Sequence, residues 1–512
     1  MNLRKRFGPA NGPSGRILRW GVAFAVLPAL LAAPGRSQAP AAPATVVTPP
    51  AAPMTPVAPV APAVPLPTLS ALQAVQLATL IDEDAVAQGL RAEGGTASRI
   101  SDNDMLVRAA LDHARAVHAG RLATADFQED WGLRPPDYDP LPGFADAVRR
   151  DRLAAWVASL PPPYVGYDSL QKGLTAYRRI AAAGGWSALS AGPDIGPGAT
   201  GDRVIALRTR LAFEDNAVAA TGNRFDADLQ EAVRRAQRRY GLNPTGVVGA
   251  QTLAALNVPA QDRVRQIMAN MERWRWLPQS LPQRRVQVNI AAAVLTVFDG
   301  DAPISSMRAV TGKPGEHTET PMLESRIHSI VLNPPWNVPN TIATRELWPK
   351  EQRNPGYLRR NGFRVIDTGD GGKRLQQAAG DHSALGRYKF DFDNRYAVYL
   401  HDTPSQSTFA RFDRLASHGC VRLEKPGDLA RLLLKDDPAW GDDAISAAVD
   451  KGDTVRARLA QPIAVYLLYW TAFASANGQM NFRADPYDWD GRLASKIETR
   501  SAVQAGAVHA GG

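Results

Sequence analysis

The sequence predicts a multi-domain α+β protein, and three observations carry this prediction. Apolar side chains recur at helical spacing from residue 68 to about residue 192. Residues 193–260 form a compact segment in which short helical stripes are separated by glycine turns. From residue 284 onward, apolar and polar side chains alternate with a period of two, which is typical of half-buried strands. We therefore expect two helical domains followed by a mainly β domain at 284–460.

The first 39 residues are expected to be a secretory signal peptide. A basic start at residues 4–6 precedes an apolar run from Trp20 to Ala33, and residues 37–39, Ser-Gln-Ala, supply a small-x-small cleavage site. The run is shorter than the roughly 20 residues that a spanning helix needs. We therefore expect export and cleavage, with an uncleaved membrane anchor as the alternative.

Residues 40–67 consist almost entirely of Ala, Pro, Val and Thr, and this composition predicts a semi-rigid tether without a packed core. The net charge of +9 could indicate nucleic-acid binding. However, the basic residues are dispersed, and no basic cluster is interleaved with aromatic residues. Nucleic acid is therefore not an expected partner, whereas an anionic polymer of the cell envelope would suit a positive surface.

The two helical domains differ in the length of their predicted helices and in the turns that separate them. Residues 68–192 carry long apolar stripes, the first at Leu69, Leu72, Val75, Leu77 and Leu80. In 193–260, one stripe runs from Val204 to Leu211, a second helix begins at Phe225-Asp226 and ends near Gly241, and a glycine turn leads into a third helix that reaches Leu256. Residues 261–283 are expected to contain a linking helix.

The β domain is expected to contain several short strands with one long interruption. The period-two pattern and its turn signals predict strands at Val286–Ile290, Ala293–Phe298, Met307–Thr311, Ser329–Leu332 and Tyr396–His401. Residues 336–385 break this pattern with helical and polar segments, and we interpret them as an insertion that caps the domain. A helix is predicted at Lys425–Lys435.

Cys420 is the only cysteine in the chain, so it cannot form an intramolecular disulfide or hold a structural zinc ion alone. Isolated cysteines are usually packed as small hydrophobic residues. This one lies in Ser417-His418-Gly419-Cys420-Val421-Arg422, and fifteen residues separate that motif from His401. A thiolate nucleophile needs an imidazole to take its proton and a third group to orient the imidazole. Spacing alone leaves both His418 and His401 open as that base.

Residues 284–460 resemble the YkuD-type catalytic domain of L,D-transpeptidases, through His401, the fifteen-residue spacer and the Ser-His-Gly-Cys-Val-Arg motif. Residues 68 to about 490 resemble the large, multi-domain, periplasmic branch of this family, with further likeness at 333–339, 354–358, 385–390 and 399–404. The resemblance implies a mostly β catalytic domain with an inserted capping subdomain, a helical scaffold domain at 68–192 and a three-helix peptidoglycan-binding domain at 193–260. Residues 461–512 would then be a C-terminal extension of the scaffold and a tail.

The resemblance also implies roles for the motif residues. Cys420 would be the nucleophile and His401 the proton donor and acceptor, with His418 shaping the site. The backbone N–H groups of Gly419 and Cys420 are natural oxyanion donors, because glycine permits close approach. Arg422 is a candidate clamp for a substrate carboxylate, with a structural ion pair as the alternative.

Four more residues are candidate substrate contacts. Ser417 belongs to the motif, and Tyr388, Trp336 and Asn337 could line the donor groove, although aromatic bulk would serve core packing equally well. Thr320-Pro321 resembles a strand–turn element of the fold, for which we predict a structural role. No cofactor is expected, and no metal, because His317, His328 and His382 have no metal-ligand spacing with a cysteine. Residues 376–380 depart from the Arg-Gln-Pro-Gly stretch typical of the branch.

Three functions remain open from the sequence. The first is an L,D-transpeptidase that cross-links peptidoglycan, with a tetrapeptide stem as acyl donor and a diaminopimelate amine as acceptor. The second is the same fold acting as an L,D-carboxypeptidase or amidase, or attaching or releasing a lipoprotein. The third, a non-catalytic peptidoglycan-binding protein, is disfavoured by the intact motif. Expected partners are the stem peptides and glycan of the wall, carbapenems as inhibitors, and cell-wall synthases, all in the periplasm.

Overall fold

The helices of the chain lie mostly before the β domain. The computed structural model describes residues 65–91, 96–315, 317–369 and 371–510, so the predicted signal peptide and nearly all of the predicted tether lie outside the described residues. In chain order the helices are α1 (Ala71–Ala87), α2 (Asn103–His118), α3 (Leu141–Arg149), α4 (Leu153–Ala158), α5 (Val165–Ala182), α6 (Asp202–Ala212), α7 (Ala227–Arg239), α8 (Ala250–Leu256), α9 (Ala260–Trp274), α10 (Asn340–Ile342), α11 (Trp348–Arg353), α12 (Tyr357–Arg360), α13 (Pro426–Leu434), α14 (Asp442–Lys451) and α15 (Trp489–Ala510). No helix within these described ranges is both long enough and apolar enough to cross a membrane.

Helices α1 to α4 pack around their own core, which includes Leu77, Val107, Phe144 and Trp156. Ser70 caps the first of them: its hydroxyl accepts a hydrogen bond from the N–H of Gln73, whose side chain accepts one from the N–H of Ser70. This reciprocal cap satisfies two backbone donors that the first helical turn leaves unpaired.

Helices α6 to α8 are the three predicted between 193 and 260. Asp226 caps α7 by accepting a hydrogen bond from the N–H of Leu229 at 2.9 Å. The Gln237 amide donates to the Val247 carbonyl at 2.9 Å and to the Thr252 hydroxyl at 3.0 Å, which ties α7 to the turn before α8. These helices share one hydrophobic core with α5 and α9, in which Tyr177 and Phe482 take part.

The β domain is built on a sheet that closes on itself. The strands are β1 (Arg284–Asn289), β2 (Val294–Asp299), β3 (Ala302–Gly312), β4 (Leu323–Leu332), β5 (Trp336–Asn337), β6 (Phe363–Asp367), β7 (Lys373–Gln377), β8 (Tyr388–Phe392), β9 (Leu400–His401), β10 (Leu415–Ser417), β11 (Val421–Leu423), β12 (Val455–Leu468), β13 (Ala472–Ala474) and β14 (Met480–Phe482). Nine of these strands follow the order β10-β3-β11-β9-β8-β4-β12-β1-β2, and β2 also pairs with β3. In this order β9 lies between β8 and β11. His401, the predicted base, is in β9, and Cys420, the predicted nucleophile, is in the turn that precedes β11.

Four of the five predicted strands are confirmed as β1 to β4, and the predicted helix at 425–435 is confirmed as α13. The strand predicted at Tyr396–His401 is mostly wrong, because only Leu400 and His401 pair with neighbours. Ala397 has a φ of +54°, and the Asn394 side chain accepts hydrogen bonds from the N–H groups of Tyr396 and Val398. A local turn therefore replaces the ladder there.

The insertion between β4 and β8 is a small subdomain with its own core, formed by Val338, Ala343, Leu347, Leu358 and Leu375. It contains α10 to α12 and a separate sheet in the order β5-β7-β6. We expected only helical and polar segments here. The sheet was missed because its strands are short and β7 begins with the charged pair Lys373-Arg374.

After β12 the chain returns to the helical part. β13 and β14 pair with each other, and Ala472 and Phe482 enter the core that α5 shares with α6 to α9. Trp489, at the start of α15, is fully buried and lies edge-on to Trp131, with ring centroids 6.2 Å apart. The C-terminal segment therefore joins the helical part to the β domain.

Candidate active site

The turn that carries Cys420 lies between β10 and β11 and is organised by Ser417. The Ser417 hydroxyl donates to the Cys420 carbonyl at 2.5 Å and accepts from the Gly419 N–H at 3.2 Å. Gly419 has a φ of +110°, a conformation that side-chain-bearing residues rarely adopt. The Val421 N–H then donates to the Tyr399 carbonyl at 3.1 Å. Ser417, predicted as a substrate contact, has its hydroxyl engaged within the turn.

His401 lies in β9, directly opposite Lys389 in β8 and Arg422 in β11. Residues opposite each other in a sheet project from the same face, so these three side chains share one face. His401 Nδ1 lies 2.5 Å from the backbone carbonyl oxygen of Asp402. Because a carbonyl oxygen can only accept, Nδ1 carries the hydrogen and Nε2 keeps the free lone pair.

Burial sets the protonation of both reactive groups. It lowers the pKa of His401 to about 3, and the positive charges of Arg422 and Lys389 act in the same direction. Burial also raises the pKa of the Cys420 thiol, opposed by hydrogen bonds from Tyr399 and by the charges of Lys389 and Arg422. At neutral pH the Cys420 side chain is therefore a thiol and the His401 imidazole is neutral, with Nε2 unprotonated.

Tyr399 belongs to this site and was missed in the sequence. Its ring is edge-on to the His401 imidazole at 5.5 Å, and Lys389 Nζ lies 4.5 Å from the ring centre. Burial and then the Cys420 sulfur raise the pKa of Tyr399, whereas a hydrogen bond from Trp336 opposes the rise. The available signal was its position two residues before His401 in the strand predicted at Tyr396–His401, because alternate residues of a strand share a face.

Arg422 forms no ion pair within the described ranges, and its buried Nε has no hydrogen-bond partner there. The structural ion pair that we had left open for Arg422 is therefore not observed among those residues. Burial lowers the pKa of this guanidinium, whereas the nearby Cys420 raises it. A guanidinium held without an anion beside the nucleophile is suited to a substrate carboxylate.

The two candidate oxyanion donors differ in this structure. The Gly419 N–H already donates to Ser417, whereas the Cys420 N–H has no partner among the described backbone and side-chain acceptors. The Gly419 carbonyl accepts a hydrogen bond from the Thr320 hydroxyl at 2.8 Å. The Cys420 N–H is thus the donor left free for an oxyanion.

His418 is directed towards the capping insertion. Its Nε2 lies 2.6 Å from Glu346 Oε1, in a short π-helical turn at Ala343–Leu347. Two other predicted substrate contacts, Trp336 and Asn337, form β5 of the same insertion. Trp336 hydrogen-bonds with Tyr399, as noted above, and the Asn337 side-chain oxygen accepts from Gln376 at 2.8 Å.

Tyr388 does not join the site face. It is next to Lys389 in β8, so it projects from the opposite face, where it packs against the hydrophobic core. Its hydroxyl would lie 3.3 Å from a β-carbon placed on Gly427 in α13. The position of Tyr388 therefore does not support the expected contact with the donor groove. Within the described part of the chain, no group of three or more His, Cys, Asp or Glu residues is arranged to hold a metal ion.

Three segments of the chain match family profiles. Residues 283–455 match the profile described as "L,D-transpeptidase catalytic domain" (YkuD), residues 200–256 match "Putative peptidoglycan binding domain" and residues 69–174 match "Scaffold domain". A curated protein of Haemophilus influenzae, described as "Putative L,D-transpeptidase", is 32% identical over 245 residues, which are 44% of this chain and 48% of that protein. The chain thus spans about half the length of this relative.

Solved structures of L,D-transpeptidases are also similar at lower identity. The enzyme of Xylanimonas cellulosilytica is 20% identical, with 55% of this chain and 99% of that chain covered and a TM-score of 0.19. The enzyme of Stackebrandtia nassauensis is 14% identical, with 55% and 96% covered and a TM-score of 0.22. The chain carries a YkuD-type L,D-transpeptidase catalytic domain together with a peptidoglycan-binding domain and a scaffold domain.

Proposed function

We propose that the protein is an L,D-transpeptidase that cross-links peptidoglycan through an acyl-enzyme on Cys420. The observation that carries this proposal is the orientation of His401. Its Nδ1–H donates to the Asp402 carbonyl, which leaves Nε2 as the proton acceptor, and its side chain lies on the sheet face that also carries Arg422. A buried neutral imidazole next to the motif of a lone cysteine is the arrangement that activates a thiol nucleophile.

Acylation begins with the tetrapeptide stem of the donor. His401 Nε2 takes the thiol proton while the Cys420 sulfur attacks the carbonyl carbon of the bond to the terminal D-alanine. The oxyanion that forms accepts a hydrogen bond from the Cys420 N–H. The C–N bond then breaks, His401 returns the proton to the departing amine, and a thioester remains on Cys420.

Deacylation reverses these proton movements with a different amine. The diaminopimelate amine of a second stem attacks the thioester carbonyl, and His401 takes the proton that this amine loses. The C–S bond breaks, the new amide is released, and His401 returns the proton to the Cys420 sulfur. A thioester is readily attacked by amines, which suits acyl transfer better than an oxygen ester would.

Arg422 would hold a carboxylate of the stem peptide during both steps. Its guanidinium has no anionic partner among the described residues and lies opposite His401 in the sheet. Charge-assisted hydrogen bonds between guanidinium and carboxylate are geometrically specific, and they would fix the donor relative to the sulfur. The peptidoglycan-binding domain supports the same class of substrate.

The decisive experiment supplies the mature protein with purified disaccharide-tetrapeptide and analyses the products by mass. We expect a cross-linked dimer with loss of one D-alanine, and no dimer with Cys420→Ala. Tripeptide without any dimer would identify an L,D-carboxypeptidase instead. Activity of Cys420→Ala near that of the unmodified protein would overturn the nucleophile assignment.

A carbapenem offers a second test of the same chemistry. The strained β-lactam carbonyl mimics the donor amide, so the thiolate should open the ring and remain acylated. We expect one covalent adduct by intact-mass analysis, absent from Cys420→Ala. We also propose that residues 1–39 direct export to the periplasm, which N-terminal sequencing of the protein from the periplasmic fraction would test.

A further inference from the structure

Thr320 is fully buried beneath the nucleophile turn, and its hydroxyl is fixed in both of its hydrogen-bonding roles. Thr320 Oγ1 donates to the Gly419 carbonyl at 2.8 Å and accepts from the Gly312 N–H at 2.8 Å. Because the Gly312 N–H can only donate, the hydroxyl hydrogen must point to Gly419. The Gly419 carbonyl is therefore anchored to β3 and the turn that follows it.

Anchoring this carbonyl also sets the direction of the Cys420 N–H. The Gly419 carbonyl and the Cys420 N–H belong to one planar peptide unit, and the described residues contain no cis peptide bond. In a trans peptide the C=O and the N–H point in opposite directions. With the carbonyl held against Thr320, the Cys420 N–H must point away from Thr320.

Gly419 is the residue at which this orientation would otherwise be lost. Its φ of +110° lies in a region open to glycine, which is also the residue with the greatest backbone freedom. The Ser417 hydroxyl restrains the N–H side of Gly419, and Thr320 restrains the carbonyl side. Rotation of the Gly419–Cys420 peptide would break the bond to Thr320 and turn the oxyanion donor away.

Tyr487, from the C-terminal segment, holds Thr320 in place. The Tyr487 hydroxyl donates to the Gly312 carbonyl at 2.5 Å and accepts from the Thr320 N–H at 3.3 Å. The ring is 1% exposed and packs between Tyr469 and Trp489, with centroids 5.3 and 5.0 Å away. One phenol from a distant part of the chain thus bridges both ends of the 312–320 turn.

A second contact from the same segment supports this bridge. Trp489 Nε1 donates to the carboxylate of Glu319, the residue before Thr320, at 3.1 Å. On the other side of the turn, Met322 exchanges backbone hydrogen bonds of 2.8 Å with Asp130 and Gly132. Glu319, Thr320 and Met322 are therefore held between the helical part of the chain and the nucleophile turn.

We propose that Thr320, held by Tyr487, is a positioning residue that fixes the Gly419–Cys420 peptide so that the Cys420 N–H stabilises the oxyanion during acylation. This inference rests on the proposed acyl-enzyme function. It assigns a catalytic consequence to a strand–turn element for which the sequence predicted only a structural role. It also links the C-terminal segment to the reaction through a defined path of hydrogen bonds.

The test compares two reactions of Cys420 in the full mature protein. Acylation by imipenem develops an oxyanion, whereas alkylation by iodoacetamide proceeds at a saturated carbon and develops none. Removing an oxyanion donor typically costs ~10²–10³-fold in rate, and we expect its misalignment in Thr320→Val to slow acylation at least about tenfold. Alkylation should proceed as in the unmodified protein, because the thiol and His401 are untouched.

Two further variants keep the inference open to refutation if Thr320→Val folds poorly. Thr320→Ser keeps the hydroxyl and should acylate as the unmodified protein does. Tyr487→Phe keeps the packed ring but removes the bridge, and it should slow acylation while leaving alkylation unchanged. Equal slowing of both reactions, or unchanged acylation in Thr320→Val, would overturn the positioning role. Failure of the unmodified protein to acylate, with normal alkylation, would instead refute the proposed function.

Discussion

His418 Nε2 and Glu346 Oε1 lie 2.6 Å apart, and this contact joins the nucleophile turn to the capping insertion. Glu346 belongs to a π-helical turn, an irregularity that is frequent at functional sites. His418 is therefore directed towards the capping insertion. This orientation disfavours it as the base that activates Cys420. This pair therefore connects the capping insertion directly to the nucleophile turn.

The first prediction concerns this pair. Glu346→Gln or His418→Gln should loosen the cap, since either change weakens the only bond that Glu346 makes to the nucleophile turn among the described residues. Hydrogen exchange over residues 340–362 should rise in each single variant. Because both side chains are partly exposed, the coupling should be modest, of order 1 kcal/mol or less.

The double variant is the control for that prediction. If the pair acts as one unit, Glu346→Gln combined with His418→Gln should exchange no faster than either single variant. Additive effects of the two changes would show that the residues influence the cap independently.

A second prediction concerns pH. Burial raises the pKa of the Cys420 thiol, so alkylation by iodoacetamide should rise with a midpoint above the ~8.5 of an ordinary cysteine. No further inflection is expected between pH 5 and 7, because His401 has a pKa of about 3 and stays neutral there. A midpoint below that of free cysteine would contradict this account of the site.

Two lysine substitutions, each of which removes one positive charge, serve as matched variants in this pH experiment. The Lys389 ammonium lowers the pKa of Cys420, so Lys389→Met should move the midpoint to higher pH. Lys435→Met removes an exposed lysine at the end of α13 and should leave the midpoint unchanged. Equal shifts in both variants would indicate a general effect of net charge.

Much of this site was predictable from the sequence, because the motif places its residues locally. The motif around the lone Cys420 predicted the nucleophile, the resemblance to a known family favoured His401 over His418 as its base, and period-two alternation identified four strands. Neighbouring residues also misled: Tyr388 was expected in the groove, yet its place in β8 turns it to the core face. Which face of a strand packs against the core becomes known only when its partner strands are known.

Other parts of the site depend on contacts between distant residues and could not be predicted. Thr320 and Tyr487 are 167 residues apart in sequence, and no local pattern connects them. A third group was expected to orient the His401 imidazole, and the neighbouring Asp402 could supply it through its carboxylate or through its backbone carbonyl. The structure has the backbone carbonyl in that role, while the carboxylate accepts from the N–H groups of Arg387 and Thr403.

The third prediction separates the two histidines. General-base assistance is typically worth ~10²–10⁴-fold, so His401→Ala should slow acylation of Cys420 by at least that lower factor. His418→Ala should cost less, since its ring contacts Glu346 in the cap. The measurement is the rate of imipenem acylation in both variants, with circular dichroism to confirm folding. A larger loss in His418→Ala would reverse the assignment.

The fourth prediction concerns Tyr399. Tyr399→Phe keeps the ring against His401 and Lys389 but removes the hydroxyl that hydrogen-bonds with Cys420. That bond lowers the pKa of the Cys420 thiol, so the variant should show an alkylation midpoint at higher pH. An unchanged midpoint would restrict Tyr399 to packing. Tyr466→Phe, which loses a hydroxyl bonded to Glu324 at 3.0 Å, is the matched control.

The last prediction concerns the peptidoglycan-binding domain, for which a deletion would be a poor test. Helices α6 to α8 share their core with Tyr177 and Phe482, so removing residues 193–260 would expose apolar surface and disturb folding. A point substitution avoids this difficulty. A cavity of about 340 Å³ lies between the loop at 217–224 and the start of α7, with Arg224 on its exposed rim.

Stem peptides carry carboxylates, so reversing the charge at this cavity should weaken attachment to the wall. Arg224→Glu should sediment less with purified sacculi, and more salt should weaken the residual binding of the unmodified protein. Turnover of soluble disaccharide-tetrapeptide should not change, because the substitution lies outside the catalytic domain at 283–455. Arg265→Glu reverses an exposed charge on α9 away from this cavity and is the matched control. Equal sedimentation of both variants and the unmodified protein would show that this cavity does not hold the wall.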